Sequence, residues 1–101
     1  MAVTCRAEGR RLYAAIEGEV DHHRAREILA ELDRQLQLVM PTQVTLDLKG
    51  VTFMDSSGIA VLLRVYRQTL AWDGALRVVG VPEQADKVLR AAGLERLINI
   101  E

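Results

Sequence analysis

Cysteine is nearly missing from this chain: Cys5 stands alone among 101 residues. An intrachain disulfide is therefore excluded, which fits a reducing compartment. Aromatics are scarce as well. Tyr13, Phe53, Tyr66 and Trp72 are the full set, so the core must be aliphatic. A base-stacking surface for single-stranded nucleic acid, which interleaves aromatics with basic residues, has nothing to be built from. No sign of charge dominates, since thirteen basic residues against fourteen acidic ones leave a formal net charge of −1. Neither a basic field for nucleic acid nor a charged tail follows from such a balance. Long apolar runs are also lacking. The richest, Ile59 to Leu63, stops at Arg64, far short of the roughly 20 residues that cross a bilayer. Met1 to Arg6 contains no stretch of signal-peptide type. A cytoplasmic protein with no membrane and no direct nucleic-acid contact is the expectation.

What is present is ordinary globular composition, with 50% apolar and 27% charged residues. One domain spanning 1–101 is expected, large enough to bury a core without a staple. Val3, Cys5 and Ala7 alternate with polar residues, as do Leu12, Ala14 and Ile16, which predicts two strands joined near Gly9. Cys5 reads as a small core residue. Asp21 suits an N-cap, and Ala25, Ile28, Leu29, Leu32, Leu36 and Val39 form the apolar stripe of a helix that Pro41 ends. A short strand is expected over Val44–Leu48, then Val51-Thr52-Phe53-Met54 before the polar turn Asp55-Ser56-Ser57-Gly58. The next helix is expected to carry Ile59, Leu62, Leu63, Tyr66 and Leu70 on one face and to end near Asp73-Gly74. Leu76 to Val81 reads as a buried strand. Pro82 opens a third helix, with Ala85, Val88, Leu89 and Ala92 inward and Gly93 at its end, and Ile98-Asn99-Ile100 closes as an edge strand. The order β-β-α-β-α-β-α-β predicts an α/β fold with a mostly parallel sheet and right-handed crossovers.

The Asp55-Ser56-Ser57-Gly58 turn is the place where chemistry is expected. It follows the carboxyl end of a strand, where open α/β sheets gather their ligands, and it opens a helix whose N–H groups favour negative charge. A phosphate on a serine there is locally favoured by roughly 0.3–1 kcal/mol. By spacing alone, Asp55 or Ser56 as a simple N-cap accounts for the turn better than a switch does. A serine hydrolase is the enzymatic rival. The turn lacks the Gly-x-Ser-x-Gly elbow, and His22 and His23, the candidate bases, are adjacent on a helix and so point in different directions. A metal pair is not expected from them either, since helical ligand pairs are spaced by three or four residues. No cofactor motif is present.

The stretch Phe53-Met54-Asp55-Ser56-Ser57-Gly58-Ile59-Ala60-Val61-Leu62 resembles the signature of bacterial anti-sigma factor antagonists of the STAS family. Glu17-Gly18-Glu19-Val20-Asp21-His22-His23 is similar to the family's Gly-Glu-(Leu/Val)-Asp turn, in its sporulation form, and Ala92-Gly93-Leu94 to its small-Gly-Leu segment. The resemblance spans nearly the whole chain. It implies a STAS fold with a single mixed sheet, and a binding protein that is not an enzyme. In that family the unphosphorylated form binds an anti-sigma factor with serine kinase activity and releases the sigma factor. The kinase then phosphorylates the serine after the motif aspartate, Ser56 here, and a PP2C-type phosphatase resets the switch. Asp21, Asp55, Ser56, Ser57 and Gly58 are the implied contact residues. A STAS module of a stress-signalling scaffold is the neighbouring alternative. Ala60 stands where the family often has a second glycine, and the family's C-terminal helix is expected to be missing after Glu101.

Overall fold

A computed structural model describes residues 2–101. Strand β1 (Val3–Glu8) turns through Gly9 and Arg10 into β2 (Arg11–Val20). Glu8 lies opposite Arg11, so the loop has two residues, and Gly9 takes the φ of 62° that glycine in the first central position of such a loop supplies. Helix α1 (His22–Val39) follows, then β3 (Gln43–Met54), α2 (Ser57–Ala71), β4 (Ala75–Val79) and α3 (Glu83–Ala91). A 3₁₀ turn (Leu94–Arg96) leads to β5 (Asn99–Ile100). The expected order of elements is the one observed.

The five strands form one sheet in the order β1-β2-β3-β4-β5, with β1 antiparallel to β2 and every later pair parallel. Spatial order thus repeats chain order. Right-handed crossovers then carry all three helices onto the same face. That face holds the core: Leu12, Ala14 and Ile16 of β2, Val44, Leu46 and Leu48 of β3, and Leu76 and Val78 of β4 are all buried. Cys5 packs against this core as expected, and its burial pushes the thiol above its ordinary pKa. The other face is largely bare and polar. Arg6, Tyr13, Thr45, Arg77 and Asn99 lie in register across it as one row over all five strands. Arg6 sits 5.0 Å above the Tyr13 ring, and the Tyr13 hydroxyl donates to Asp47. Among the described residues no helix is long and apolar enough to cross a membrane.

Helix α1 starts and stops as the sequence predicts. Asp21 caps it by accepting the Arg24 N–H at 2.9 Å, and Ile28, Leu32 and Leu36 face the sheet. Met40, kept out of the helical region by Pro41, takes φ 49°, and its carbonyl receives the Arg10 guanidinium at 2.8 and 3.1 Å.

Four expectations need correction. Strand β4 stops at Val79, two residues before the expected Val81, and Ala92 lies exposed just past the end of α3 instead of inward. The segments Val44–Leu48 and Val51–Met54 are one strand. Alternation breaks after Leu48 because β3 bulges twice against β2, once between the pairs Ala15–Asp47 and Glu17–Gly50 and again between Gly18–Val51 and Glu19–Phe53. Each bulge inserts one extra residue into β3, so its buried positions run Leu48, Val51, Met54 instead of alternating. Helix α2 is also turned by about one residue from the expected face. Gly58, Val61, Leu62, Val65 and Thr69 are buried, whereas Leu70 is 54% exposed. Thr69 can occupy the inner face because its hydroxyl donates to the Val65 carbonyl at 2.8 Å. The helix ends at Ala71, just short of the expected Asp73-Gly74.

Candidate functional site: the paired turns at the carboxyl end of the sheet

Adjacent parallel strands end together. Val20 pairs with Met54, so the turn after β2 and the turn after β3 lie side by side, each opening a helix. The expected site residues Asp21, Asp55, Ser56, Ser57 and Gly58 therefore share one end of the sheet.

Asp55 ties the two turns together. Its backbone N–H donates to the Val20 carbonyl at 3.1 Å. Its Oδ1 accepts the Ser57 N–H at 2.7 Å, and its Oδ2 accepts the His22 N–H at 3.3 Å. One carboxylate thus touches the first turns of both α1 and α2, where the helix dipole favours negative charge. Asp21 adds a second carboxylate in the neighbouring turn. The Arg24 N–H, and then that of His23, hold it below its ordinary pKa.

In this geometry the capping side chain is that of Asp55 and not that of Ser56. Asp55 serves the first N–H of α2. Ser56, with φ −62° and ψ −16°, already has helical backbone angles and makes no side-chain cap hydrogen bond. Its side chain is exposed, whereas Ser57 is half-buried and Gly58 buried. A Cβ on Gly58 would lie 2.5 Å from both Cγ and Sδ of Met54, a side chain only 1% exposed. Gly58 therefore lets α2 settle onto the end of β3 and supports the turn from below. Ala60 is exposed in the first turn of α2.

His22 and His23 are exposed, with ring centroids 5.8 Å apart. His22 meets the Asp55 turn through its backbone N–H and not its imidazole. A base for serine would have to use a ring nitrogen.

Two neighbours of the turn were missed by sequence reasoning. Phe53 is 44% exposed one residue before Met54, an apolar surface beside a polar turn. Gln84, in the first turn of α3, accepts the Met54 N–H at 2.8 Å and donates to the Met54 carbonyl at 2.7 Å. The signal for Gln84 lay in strand lengths. A long β3 beside a short β4 leaves backbone groups that some side chain must satisfy.

Comparison with known proteins agrees with this architecture. Residues 5–101 match the STAS domain. The chain belongs to the STAS family. An anti-sigma F factor antagonist from Paenibacillus polymyxa is 30% identical over 89 residues, spanning 88% of this chain and 76% of that protein. The fold superposes on the anti-sigma factor antagonist SpoIIAA in its unphosphorylated form with a TM-score of 0.84 and 23% identity, over 99% of this chain and 88% of SpoIIAA. The phosphorylated form of the Bacillus cell fate determinant SpoIIAA gives a TM-score of 0.75 at 23% identity, over 99% of this chain and 91% of that one. This STAS chain carries the expected single mixed sheet.

Proposed function

We propose that this chain is an anti-sigma factor antagonist acting in the cytoplasm as a single-domain binding protein. Its unphosphorylated form binds an anti-sigma factor with serine kinase activity and so frees the sigma factor. Phosphorylation of Ser56 by that kinase ends the binding, and a PP2C-type phosphatase restores it. The observation that carries this reading is the division of labour in the turn: Asp55 caps α2, which leaves the Ser56 hydroxyl exposed and outside the helix's own hydrogen bonding.

The same geometry supports a switch by local charge. Phosphate adds about −1.5 to −2 charges at neutral pH, next to Asp55 and in the turn adjoining that of Asp21. The start of α2 offsets part of this through its dipole, by roughly 0.3–1 kcal/mol. Burying the phosphate unpaired against a partner costs more, roughly 2–5 kcal/mol. The domain keeps its fold while the complex is lost. Gly58, buried, acts in this scheme by setting how Ser56 and Ser57 are presented to the partner.

The test is phosphorylation with ATP and the anti-sigma F factor of Paenibacillus polymyxa, read by mass spectrometry. Phosphate is expected on Ser56 and absent from Ser56→Ala. Phosphate confined to Ser57 would refute the assignment.

A further inference from the structure

The end of β3 projects past its neighbour. β4 pairs with β3 along Gln43–Asp47 and no further, yet β3 continues to Met54. The Met54 N–H and C=O on that side are taken by the Gln84 amide at 2.8 and 2.7 Å. One planar side chain thereby supplies the donor and the acceptor that a strand residue would have offered. Gln84 itself is anchored by α3, whose inner face buries Ala85 and Leu89. Met54 is gripped from two directions, its backbone by Gln84 and its side chain against Gly58 of α2. The next two residues are Asp55 and Ser56.

We propose that Gln84 is a positioning residue for the Ser56 turn: its amide stands in for a missing strand neighbour and makes α3 a third support of the site, beside α1 and α2. The functional half of this inference rests on the reading of Ser56 as phosphoacceptor. Gln84 touches no reacting atom in that scheme. It fixes where the strand ends, and hence where the hydroxyl is presented. Glutamate in its place separates the two bonds, since an ionised carboxylate accepts the Met54 N–H but has nothing to donate to the Met54 carbonyl.

The experiment uses the full chain, labelled for amide hydrogen exchange by NMR, as wild type, Gln84→Ala and Gln84→Glu. In Gln84→Ala the Met54 amide should exchange roughly tenfold faster, the order of one net hydrogen bond. The Asp55–Ser57 amide signals should move, while Leu46 and Val78 keep their rates. Gln84→Glu should fall between the two. The kcat/KM for phosphorylation by the Paenibacillus polymyxa anti-sigma F factor should drop several-fold in Gln84→Ala. An unchanged Met54 amide, or equal acceleration at Leu46 and Val78, would overturn the positioning role, the latter by showing plain loss of global stability. A loosened turn with unaltered kcat/KM would overturn its bearing on phosphorylation. Wild type that takes no phosphate would refute the functional reading instead, and the exchange rates would still decide whether Gln84 fixes the turn.

Discussion

The two halves of the β2–β3 pair are built on different rules. From Arg11–Gln43 to Ala15–Asp47 the register is unbroken, and both strands are hydrogen-bonded to neighbours on either side. Beyond Asp47 the register slips twice, β4 stops, and the backbone is held by side chains: Gln84 at Met54, and Asp55 at Ser57 and His22. The regular half gains its stability from buried aliphatic area. The irregular half spends regular pairing on aiming two short turns. Bulges recur near functional sites for this reason. A strand in perfect register alternates its side chains rigidly, whereas one carrying extra residues can redirect them.

Substitutions in the two halves should therefore fail differently. The largest effect is expected from Leu46→Ala in the regular half, where the side chain is 0% exposed. The cavity should cost about 2–5 kcal/mol and lower the melting temperature by at least about 8 °C. If it melts like wild type, the stability does not reside there. In the irregular half, Ser56 phosphorylation should weaken anti-sigma factor binding by at least about thirtyfold, and by more than about a hundredfold at the middle of the interfacial cost given above. Ser56→Asp, with less charge, should weaken it at least about tenfold, and titration calorimetry beside a melting curve checks both. A melting curve displaced as far as that of Leu46→Ala would show that the switch works by unfolding and not by local charge.

Gly58→Ala lies at the junction and should be intermediate. Its Cβ at 2.5 Å from the buried Met54 side chain should cost about 1–3 kcal/mol by overpacking, read from denaturant midpoints. A neutral result would mean that Met54 repacks freely and does not buttress the turn. The smallest effect concerns acid. Donation by the Tyr13 hydroxyl, then by the Lys49 N–H, holds Asp47 below its ordinary pKa of 3.8. A depressed carboxyl contributes stability above the unfolded value, and that contribution is lost as pH falls through the folded one. Stability should thus decline below about pH 4, and Asp47→Asn should flatten that decline, as melting temperatures between pH 2 and 6 would reveal. An identical acid limb in the variant would remove Asp47 from the account.

How much of this was legible in the sequence follows the same division. Alternation in β2, the stripe on α1, the cap at Asp21 and the stop at Pro41 are local patterns with local causes, and each appears where expected. The two bulges of β3 were not legible, because Leu48, Val51 and Met54 recur every third residue and mimic the end of a strand. The inner face of α2 was misjudged by about one residue. Thr69 looked polar in the sequence, and its bond to Val65 satisfies it only once the helix exists. The turn at Asp55-Ser56 stood out from its chemistry and from its resemblance to the family. Which residue caps and which is exposed depended on the φ and ψ of Ser56. Gln84 had no local signature, since its role is set by the difference in length between two strands distant in sequence.

The order of strands across the sheet has a consequence for assembly. Because each strand lies beside the one made before it, no strand has to be inserted between two already paired. The hairpin of β1 and β2 closes through a two-residue loop and offers β2 as a template. Each later unit of helix and strand then adds to the growing edge as the chain lengthens. Parallel pairing is slow in general because long loops must close before contacts form. Here every closure spans a single crossover with one α-helix, joined before β5 by a 3₁₀ turn. The sheet can therefore form by accretion, in the direction in which a ribosome releases it, and of the five described strands the two-residue β5 is the last to be laid down. So short an edge gives a neighbouring chain little to pair with.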